Sequence, residues 1–398
     1  LRQAKLTPQQ AAVFSQEQAV SFKNLNIPQL SRPVNILVLG AKVLASEAGE
    51  PQLDVGGYDP VVNSFIGLTD TMLLVRFDPE KKTLVALSIP RDTKTQIEGY
   101  GIAKINEANA RGGPALAAQT VSNLLGGVPI DRYVRINVQG VEKLLDALGG
   151  VTVYVPRDMK YHDDTQHLYI DLEKGEQHLN GAQAEQFLRF RYDEYGDIGR
   201  VQRQQMLMRA VFEQALNPTV LLKVPDILSV IHSNIDTNLT VEELIALAGF
   251  AVQTKRSNVQ MLMVPGGFSG DGKKEVSYWL PDRQRIQGIV SQYFEQSESD
   301  RSERQQEYTD PAYVRVAIQD STEDPKAVQS LVNSIQEAGY RRVSVGHDWP
   351  KPLKVTRIVA QKGDLASAAA IRAALGVGEV LVESTGSLNS DVTIQLGE

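Results

Sequence analysis

Short apolar runs rich in branched residues recur from Asn35 onward: Ile36 to Leu39, Met72 to Phe77 and Leu84 to Ile89. Each is bounded by Gly, Pro or Asp, the pattern of buried strands. The stretch between the first two runs holds Gly49, Pro51, Gly56, Gly57 and Pro60 and reads as a surface loop. Helical periodicity follows. Pro114 to Leu125 opens on Gly113-Pro114, and proline suits a first helical position. Val141 to Leu148 stops at Gly149-Gly150, and a strand from Val151 to Val155 stops at Pro156. Gly181 to Leu188 and Ile198 to Leu216 also read as helices. In the second, Val201, Met208, Phe212 and Ala215 form an apolar stripe, with Asp197 placed as N-cap. Further helices are predicted over 225–232, 240–253 and 282–294, with a strand over 260–264.

Residues 1–33 are rich in Gln, Ala and Ser, carry one short helix after Pro8, and read as an N-terminal arm or linker. Residues 34–294 mix strands and helices in an order that indicates an α/β domain, an α+β sandwich with a mixed central sheet flanked by helices. Over 295–311, Glu, Gln, Ser, Asp and Arg crowd together without apolar spacing, which marks a linker. Residues 312–398 form a smaller α/β unit. It has strands at 314–318 and 342–345, a helix from Pro325 to Ala338, and further apolar runs at 357–360, 365–375, 380–382 and 392–396.

At 398 residues the chain exceeds one ordinary core, in line with this division. A hydrophobic content of 42% with 22% charged residues excludes a disordered tail. The net charge of −7 disfavours a nucleic-acid partner, so an anionic ligand must be met by a local cluster of positive charge. The absence of cysteine excludes disulfides and thiolate-bound metal. No run of about 18 apolar residues is present. The chain begins at Leu1 and not at methionine, which is compatible with a signal or membrane anchor upstream. The five histidines (162, 167, 178, 232 and 347) lack metal-ligand spacing, and there is no Ser–His hydrolase elbow.

Four segments carry candidate chemistry. Ser88-Ile89-Pro90-Arg91-Asp92 ends a buried strand, where ligands of α/β sheets bind, although Arg91 and Asp92 also fit a plain surface turn. In Arg189-Phe190-Arg191, extended chain would put both guanidiniums on one face, suited to bidentate phosphate contacts. Pairing with Glu185, Asp193 or Glu194 explains them equally well. Arg200 and Arg203 lie about one turn apart near a helix start, where cations do not help the helix dipole and an anion is favoured. Asp70, in Leu68-Thr69-Asp70-Thr71, is a turn residue or a carboxylate for Mg2+ beside phosphates.

No single motif is specific, but the series is. Asn35-Ile-Leu-Val-Leu-Gly40, Thr69-Asp-Thr71, Ser88-Ile-Pro-Arg-Asp92, Lys104-Ile-Asn106 and Gly112-Gly113 come first. Asp146-Ala-Leu-Gly-Gly-Val151, Gly175-Glu-Gln-His-Leu-Asn-Gly181, Arg189-Phe-Arg191 and Gly199-Arg-Val-Gln-Arg-Gln-Gln205 follow. Together they resemble the LytR-CpsA-Psr family of cell-envelope proteins, and residues 312–398 resemble the C-terminal domain often appended to it. The resemblance implies an enzyme at the outer face of the plasma membrane, anchored by an upstream segment. It would move a glycopolymer from a polyprenyl diphosphate carrier to peptidoglycan, with the polyprenyl chain in an apolar tunnel of the α/β core. Carried over residue by residue, Arg91, Arg189, Arg191, Arg200 and Arg203 grip the diphosphate, joined by Lys42 and Lys104, and Asp70 binds Mg2+. Arg91, Arg189, Arg191 and Asp92 are the expected catalytic set. Asp92 and Asp197 are candidate bases that equally well orient arginines.

Two positions depart from the family pattern. Gly40-Ala41-Lys42 stands where Gly-x-Asp supplies a second metal ligand, and Leu68 stands where an arginine precedes the Asp. Lys42 then replaces part of the metal's charge, or Glu47, Asp54 or Asp59 supplies the carboxylate. Two alternatives stay open: a non-catalytic polyprenyl-phosphate-binding scaffold, and a diphosphate hydrolase with water as acceptor. A transcription regulator is disfavoured by the charge and by the lack of a helix-turn-helix. Replacing Arg189 or Arg191 by Ala is expected to lower glycopolymer transfer by roughly 10²–10³-fold, the scale for losing one charge-stabilising donor. Unchanged turnover in a transfer assay would remove these arginines from the site.

Overall fold

The computed structural model describes residues 3–23, 27–41, 65, 67–164, 168–190, 196–269, 278–294, 310–346 and 348–398. Six strands build the central sheet: β1 (Val34–Ala41), β2 (Thr69–Asp78), β3 (Thr83–Ser88), β4 (Arg132–Asn137), β5 (Ile235–Thr237) and β6 (Val259–Met263). Their order is β5-β4-β1-β2-β3-β6. The β1–β4 and β3–β6 pairs are parallel and the other three antiparallel, so the sheet is mixed as expected.

Both faces are buried, which explains the unbroken apolar runs. Leu37, Leu39, Met72, Leu74, Val85 and Leu87 turn to one side, in a core completed by helices α1 (Glu107–Leu124) and α6 (Arg283–Tyr293). Leu73, Val75, Leu84, Ala86 and Met261 turn to the other. There they meet Met208 and Phe212 of α4 (Gly196–Ala215) and Phe250 of α5 (Val241–Gln253). Further helices of this unit are α2 (Val138–Leu148), α3 (Gly181–Arg189) and the helix Val224–Asn234, which packs on α2. With α4, helices α2 and α3 enclose a second core over the strands at 151–155, 159–163, 168–172 and 175–179.

Helix α1 starts earlier than the sequence suggests. It is two helical pieces joined at Gly112 and Gly113, where Gly113 has φ +67°, and Pro114 opens the second piece as read from the sequence. Helix α4 starts at Gly196, which places Asp197 inside the first turn and not at the cap.

The segment 1–33, expected as an N-terminal arm or linker, is packed against the first unit. Phe14 is buried against Tyr133 of β4, with ring centroids 5.2 Å apart, and Ser15 N–H donates to the Ile130 carbonyl. The strands Val20–Lys23 and Ile27–Leu30 pair with each other, and Arg32 bonds Asp131 at 2.8 Å. Phe14 and Ala19 are too widely spaced among glutamines to show a period, yet each fills a place in a core. Strand β4 was also missed, because Arg132, Arg135 and Asn137 break its apolar pattern. Arg135 is buried there since Asp236, directly opposite on β5, takes its Nε at 2.6 Å.

The C-terminal unit has strands β7 (Arg315–Asp320), β8 (Arg342–Val345), β9 (Arg357–Val359), β10 (Glu379–Leu381) and β11 (Val392–Leu396) in the order β8-β7-β11-β9-β10. Helices α7 (Pro325–Glu337) and α8 (Leu365–Leu375) pack on it around its own core. This unit docks on the outer edge of β6. The Met261 and Met263 amides donate to the carbonyls of Val382 (3.0 Å) and Gln361 (2.9 Å). Glu383 accepts from Arg209 and Arg256, and Arg285 bridges Asp364 and Asp391.

Lys362 lies in this interface, almost wholly buried, among Arg315, Arg285, Asp364 and Asp391. Burial pushes its amine down to about 7, and the Arg315 charge acts in the same direction. Burial pushes the Asp364 carboxyl up to about 6 against the opposing charge of Arg285. Burial alone would raise Asp391, but hydrogen bonds from Arg315 and the Arg285 charge outweigh it and hold it at about 2. Between about 7 and ~10.4 the unfolded chain keeps a lysine proton that the native chain has released, so stability rises with pH in that window. The Asp364 window, from 3.8 to about 6, has the opposite sign and lies below it. The melting temperature is therefore expected to climb from about pH 7 to about pH 9, and Lys362→Met to flatten the climb. An identical slope in the variant refutes the assignment.

Candidate functional site

The register of the central hairpin sets the site. Strands β2 and β3 are antiparallel with Leu73 opposite Ser88, and Ile89 N–H extends the ladder to the Met72 carbonyl at 2.9 Å. Residues after Ser88 therefore arrive beside residues before Leu73. Pro90 has no N–H to continue the ladder, and the chain turns out of the sheet there. Arg91 emerges next to Asp70, with Nη1 2.6 Å from Oδ1. Asp92 follows and holds two cations: Lys104 Nζ at 2.7 Å and Arg91 Nε at 3.4 Å. All four side chains are partly exposed, as a polar ligand requires.

Backbone contacts fix this cluster from three sides. The Asn106 amide donates to the Arg91 carbonyl at 3.2 Å, and the Thr69 amide donates to the Asn106 carbonyl at 3.2 Å. The Trp279 amide donates to the Asp92 carbonyl at 2.9 Å. On the remaining side, Gln205 of α4 donates to Ser88 Oγ at 2.8 Å. Lys104 and Lys94 both lie near the Tyr278 ring, at 5.7 and 5.3 Å.

Beneath Arg91 the space between the sheet and α4 is apolar. Its lining runs from Asp70, Arg91 and Asp92 down to Met72, Leu73, Val201, Met208, Met263, Phe268 and Trp279. The cavity is about 30 Å³, room for a water or two and far short of an isoprenoid chain. The apolar tunnel expected from the resemblance is not formed among the described residues; a narrow apolar slot stands at this place.

The other expected residues are placed as follows. Arg189 is the last residue of α3 and pairs with Glu185 one turn back, at 3.3 Å, the local pairing that the sequence left open. Phe190 is extended, at φ −60° and ψ 125°, and Arg191 lies outside the described residues. Arg203 is buried; its guanidinium donates to the Phe190 carbonyl and lies 5.8 Å from the Phe190 ring. It thereby ties α4 to the chain that follows α3. Arg200 is helical, with its side chain outside the described residues, and Lys42, Glu47, Asp54 and Asp59 are outside them too.

For a divalent cation, the described residues supply two carboxylates that line the slot, Asp70 and Asp92, each already paired with a cation, and two acceptors without a hydrogen-bond partner among those residues, Asn106 Oδ1 and Gln205 Oε1. Asn106 is buried, and its backbone joins Thr69 to Arg91. No cluster of three acidic or imidazole groups occurs among the described residues. That donor set fits a Mg2+ held largely through phosphate oxygens, with one or two protein ligands.

Sequence reasoning missed Gln205 as an anchor, Trp279 as a wall of the site, and the role of Asn106. Gln205 and Asn106 stand inside the motif series quoted above, so position in the series was the available signal. Trp279 sits in no recognised motif, but it is one of two tryptophans in the chain and is fully buried.

A model of the LytR_cpsA_psr family matches residues 4–295, and a model described as LytR cell envelope-related transcriptional attenuator matches 313–398. Among similar proteins, the polyisoprenyl-teichoic acid–peptidoglycan teichoic acid transferase TagU of Bacillus anthracis is 34% identical over 258 residues, covering 63% of this chain and 75% of that protein. The transferase TagV of Bacillus subtilis is 28% identical over 276 residues, 68% of this chain and 66% of that protein. The crystal structure of B. subtilis TagV superimposes with a TM-score of 0.54 at 28% identity, covering 67% of this chain and 98% of that one. The sandwich fold, the ordered motifs and the extent of the match agree: the chain belongs to the LytR-CpsA-Psr family.

Proposed function

We propose that this chain transfers a phosphoglycan from a polyprenyl diphosphate carrier to peptidoglycan or another envelope acceptor. The observation that carries the reading is the Arg91–Asp70–Asp92–Lys104 cluster set over an apolar slot. A ligand that is anionic at one point and apolar beyond it matches that sequence of surfaces. The similar proteins are named as polyisoprenyl-teichoic acid transferases, which supports the same class of substrate. An outer-face location follows from that acceptor; among the described residues no helix is long and apolar enough to cross a membrane.

In the reaction, an acceptor hydroxyl oxygen bonds to the phosphorus that carries the glycan. The anhydride P–O bond breaks in line, polyprenyl monophosphate leaves, and the hydroxyl proton is released. Transfer of this kind depends on positioning and on neutralising charge more than on covalent help. Arg91 meets the diphosphate as its charge shifts towards the leaving phosphate, and Arg189, Arg191 and Arg200 are the further cations of the motif series, while Arg203, buried on the Phe190 carbonyl, holds α4 in place. Asp92 has one oxygen on Lys104 and the other on Arg91, an arrangement that positions both cations. Mg2+ would be held by Asp70 with the diphosphate oxygens, and would supply further neutralisation of the leaving group.

The deciding experiment incubates the chain with a polyprenyl diphosphate-linked glycan, with and without peptidoglycan. Polyprenyl monophosphate and a glycan phosphodiester should form when the acceptor is present. Release of free glycan phosphate at an equal rate without acceptor would establish a hydrolase instead, and binding without turnover in any divalent metal a scaffold. Arg91→Ala should lower turnover by roughly 10²–10³-fold. Asp92→Asn should raise the KM for the carrier about 10- to 100-fold, the range for losing a hydrogen bond to a charged group, with a smaller change in kcat. A kcat loss with KM intact would make Asp92 a participant in the chemistry.

A further inference from the structure

The slot beneath Arg91 is walled by the first unit on every side but one. The remaining lining residue is Leu388, which comes from the C-terminal unit. Leu388 is 2% exposed, yet it belongs to no part of that unit's own core. It packs with Met263 and Trp279, and with the partly buried Val201 and Phe268, all of them residues of the first unit. In the loop Glu383-Ser-Thr-Gly-Ser-Leu-Asn-Ser-Asp391 it is the one apolar side chain. A leucine placed there gains burial solely by reaching across.

The loop is braced to hold that position. Ser387 N–H and Ser390 Oγ bond Thr393 Oγ1 at 2.9 and 2.8 Å, and Gln361 Nε2 donates to the Ser387 carbonyl at 2.6 Å. The Leu388 carbonyl accepts from Lys362 Nζ, which also reaches the Gly266 carbonyl at 3.5 Å and lies 5.4 Å from the Trp279 ring. Gly266 lets the chain pass close to the wall of the slot: a Cβ there would stand 2.3 Å from the Leu280 carbonyl and 2.6 Å from the Trp279 ring nitrogen. Backbone bonds from β6 and the Arg285–Asp391 pair fasten the two ends of the interface.

We infer that Leu388 is a specificity-determining residue, carried by the C-terminal unit, which sets how much apolar carrier the slot beneath Arg91 admits. The inference rests on the proposed reading of Arg91 as the diphosphate anchor. With about 30 Å³ free, the side chain at 388 controls whether carbon atoms beyond the diphosphate find room. A smaller side chain widens the slot and a larger one closes it. The diphosphate contacts above are untouched by either.

The test uses the full chain as wild type, Leu388→Ala, Leu388→Trp and Arg91→Ala, with dissociation constants for inorganic diphosphate and undecaprenyl diphosphate. Leu388→Ala should tighten undecaprenyl diphosphate and Leu388→Trp weaken it, each by roughly fivefold or more, while inorganic diphosphate, which has no carbon tail, binds wild type and both Leu388 variants equally. A leucine that merely joins the two units would make both substitutions act in the same direction, or in none. Either result overturns the inference. If the Trp variant does not fold, the Ala variant decides alone: tighter long-chain binding supports the inference, and weaker or unchanged binding overturns it. Arg91→Ala should weaken both ligands; if it weakens neither, the diphosphate reading of the site falls, which is a separate outcome from the length discrimination read at 388.

Discussion

The pairing of Leu73 with Ser88 is the constraint on which the candidate site depends. Side chains alternate along a strand, so a shift of one residue would exchange Leu84 and Ala86 on one face of β3 with Val85 and Leu87 on the other. Both faces are close-packed, and side chains of different volume fit them in one register. The same register delivers Arg91 to Asp70 and leaves Asp92 pointing at Lys104. The positions of the charges are thus fixed by the packing of Leu84, Ala86 and Leu87 on the two sides of the sheet, several residues away.

The molecule uses ion pairs in two ways, and their magnitudes separate the roles. Arg135 and Asp236 are both buried, and removing one partner of such a pair costs about 3–5 kcal/mol because the other charge is stranded. Arg91 and Asp70 are each about a quarter exposed, and a pair in that setting is worth ~0–1 kcal/mol. An anion reaching Arg91 would displace Asp70 at little cost. The first pair holds the fold and the second is exchangeable.

The strands β1, β2 and β3 were legible because two buried faces leave a continuous apolar run in the sequence. Strand β4 was not, since Arg135 is tolerable in a central strand only opposite Asp236, and that partner is 101 residues away. The hairpins at 94–104 and 159–172 were missed because their exposed alternate positions dilute the apolar signal. In the candidate site, Arg91, Asp92, Lys104 and Asp70 were legible through the order of short motifs. Their mutual pairing was not, because it depends on register. Leu388 left no trace at all: a single leucine among serines and an asparagine has no period, and its partners lie in another unit.

The edge strand β6 has a consequence for the order in which the chain becomes whole. Its outward amides at Met261 and Met263 are satisfied by carbonyls of Gln361 and Val382, about a hundred residues later. During synthesis the first unit can form its sheet with that edge bare, a row of donors open to any extended segment nearby. Until residues 361–382 have emerged, that edge has no partner from its own chain to close it. The C-terminal unit is in this sense a selvedge, woven after the cloth whose edge it binds.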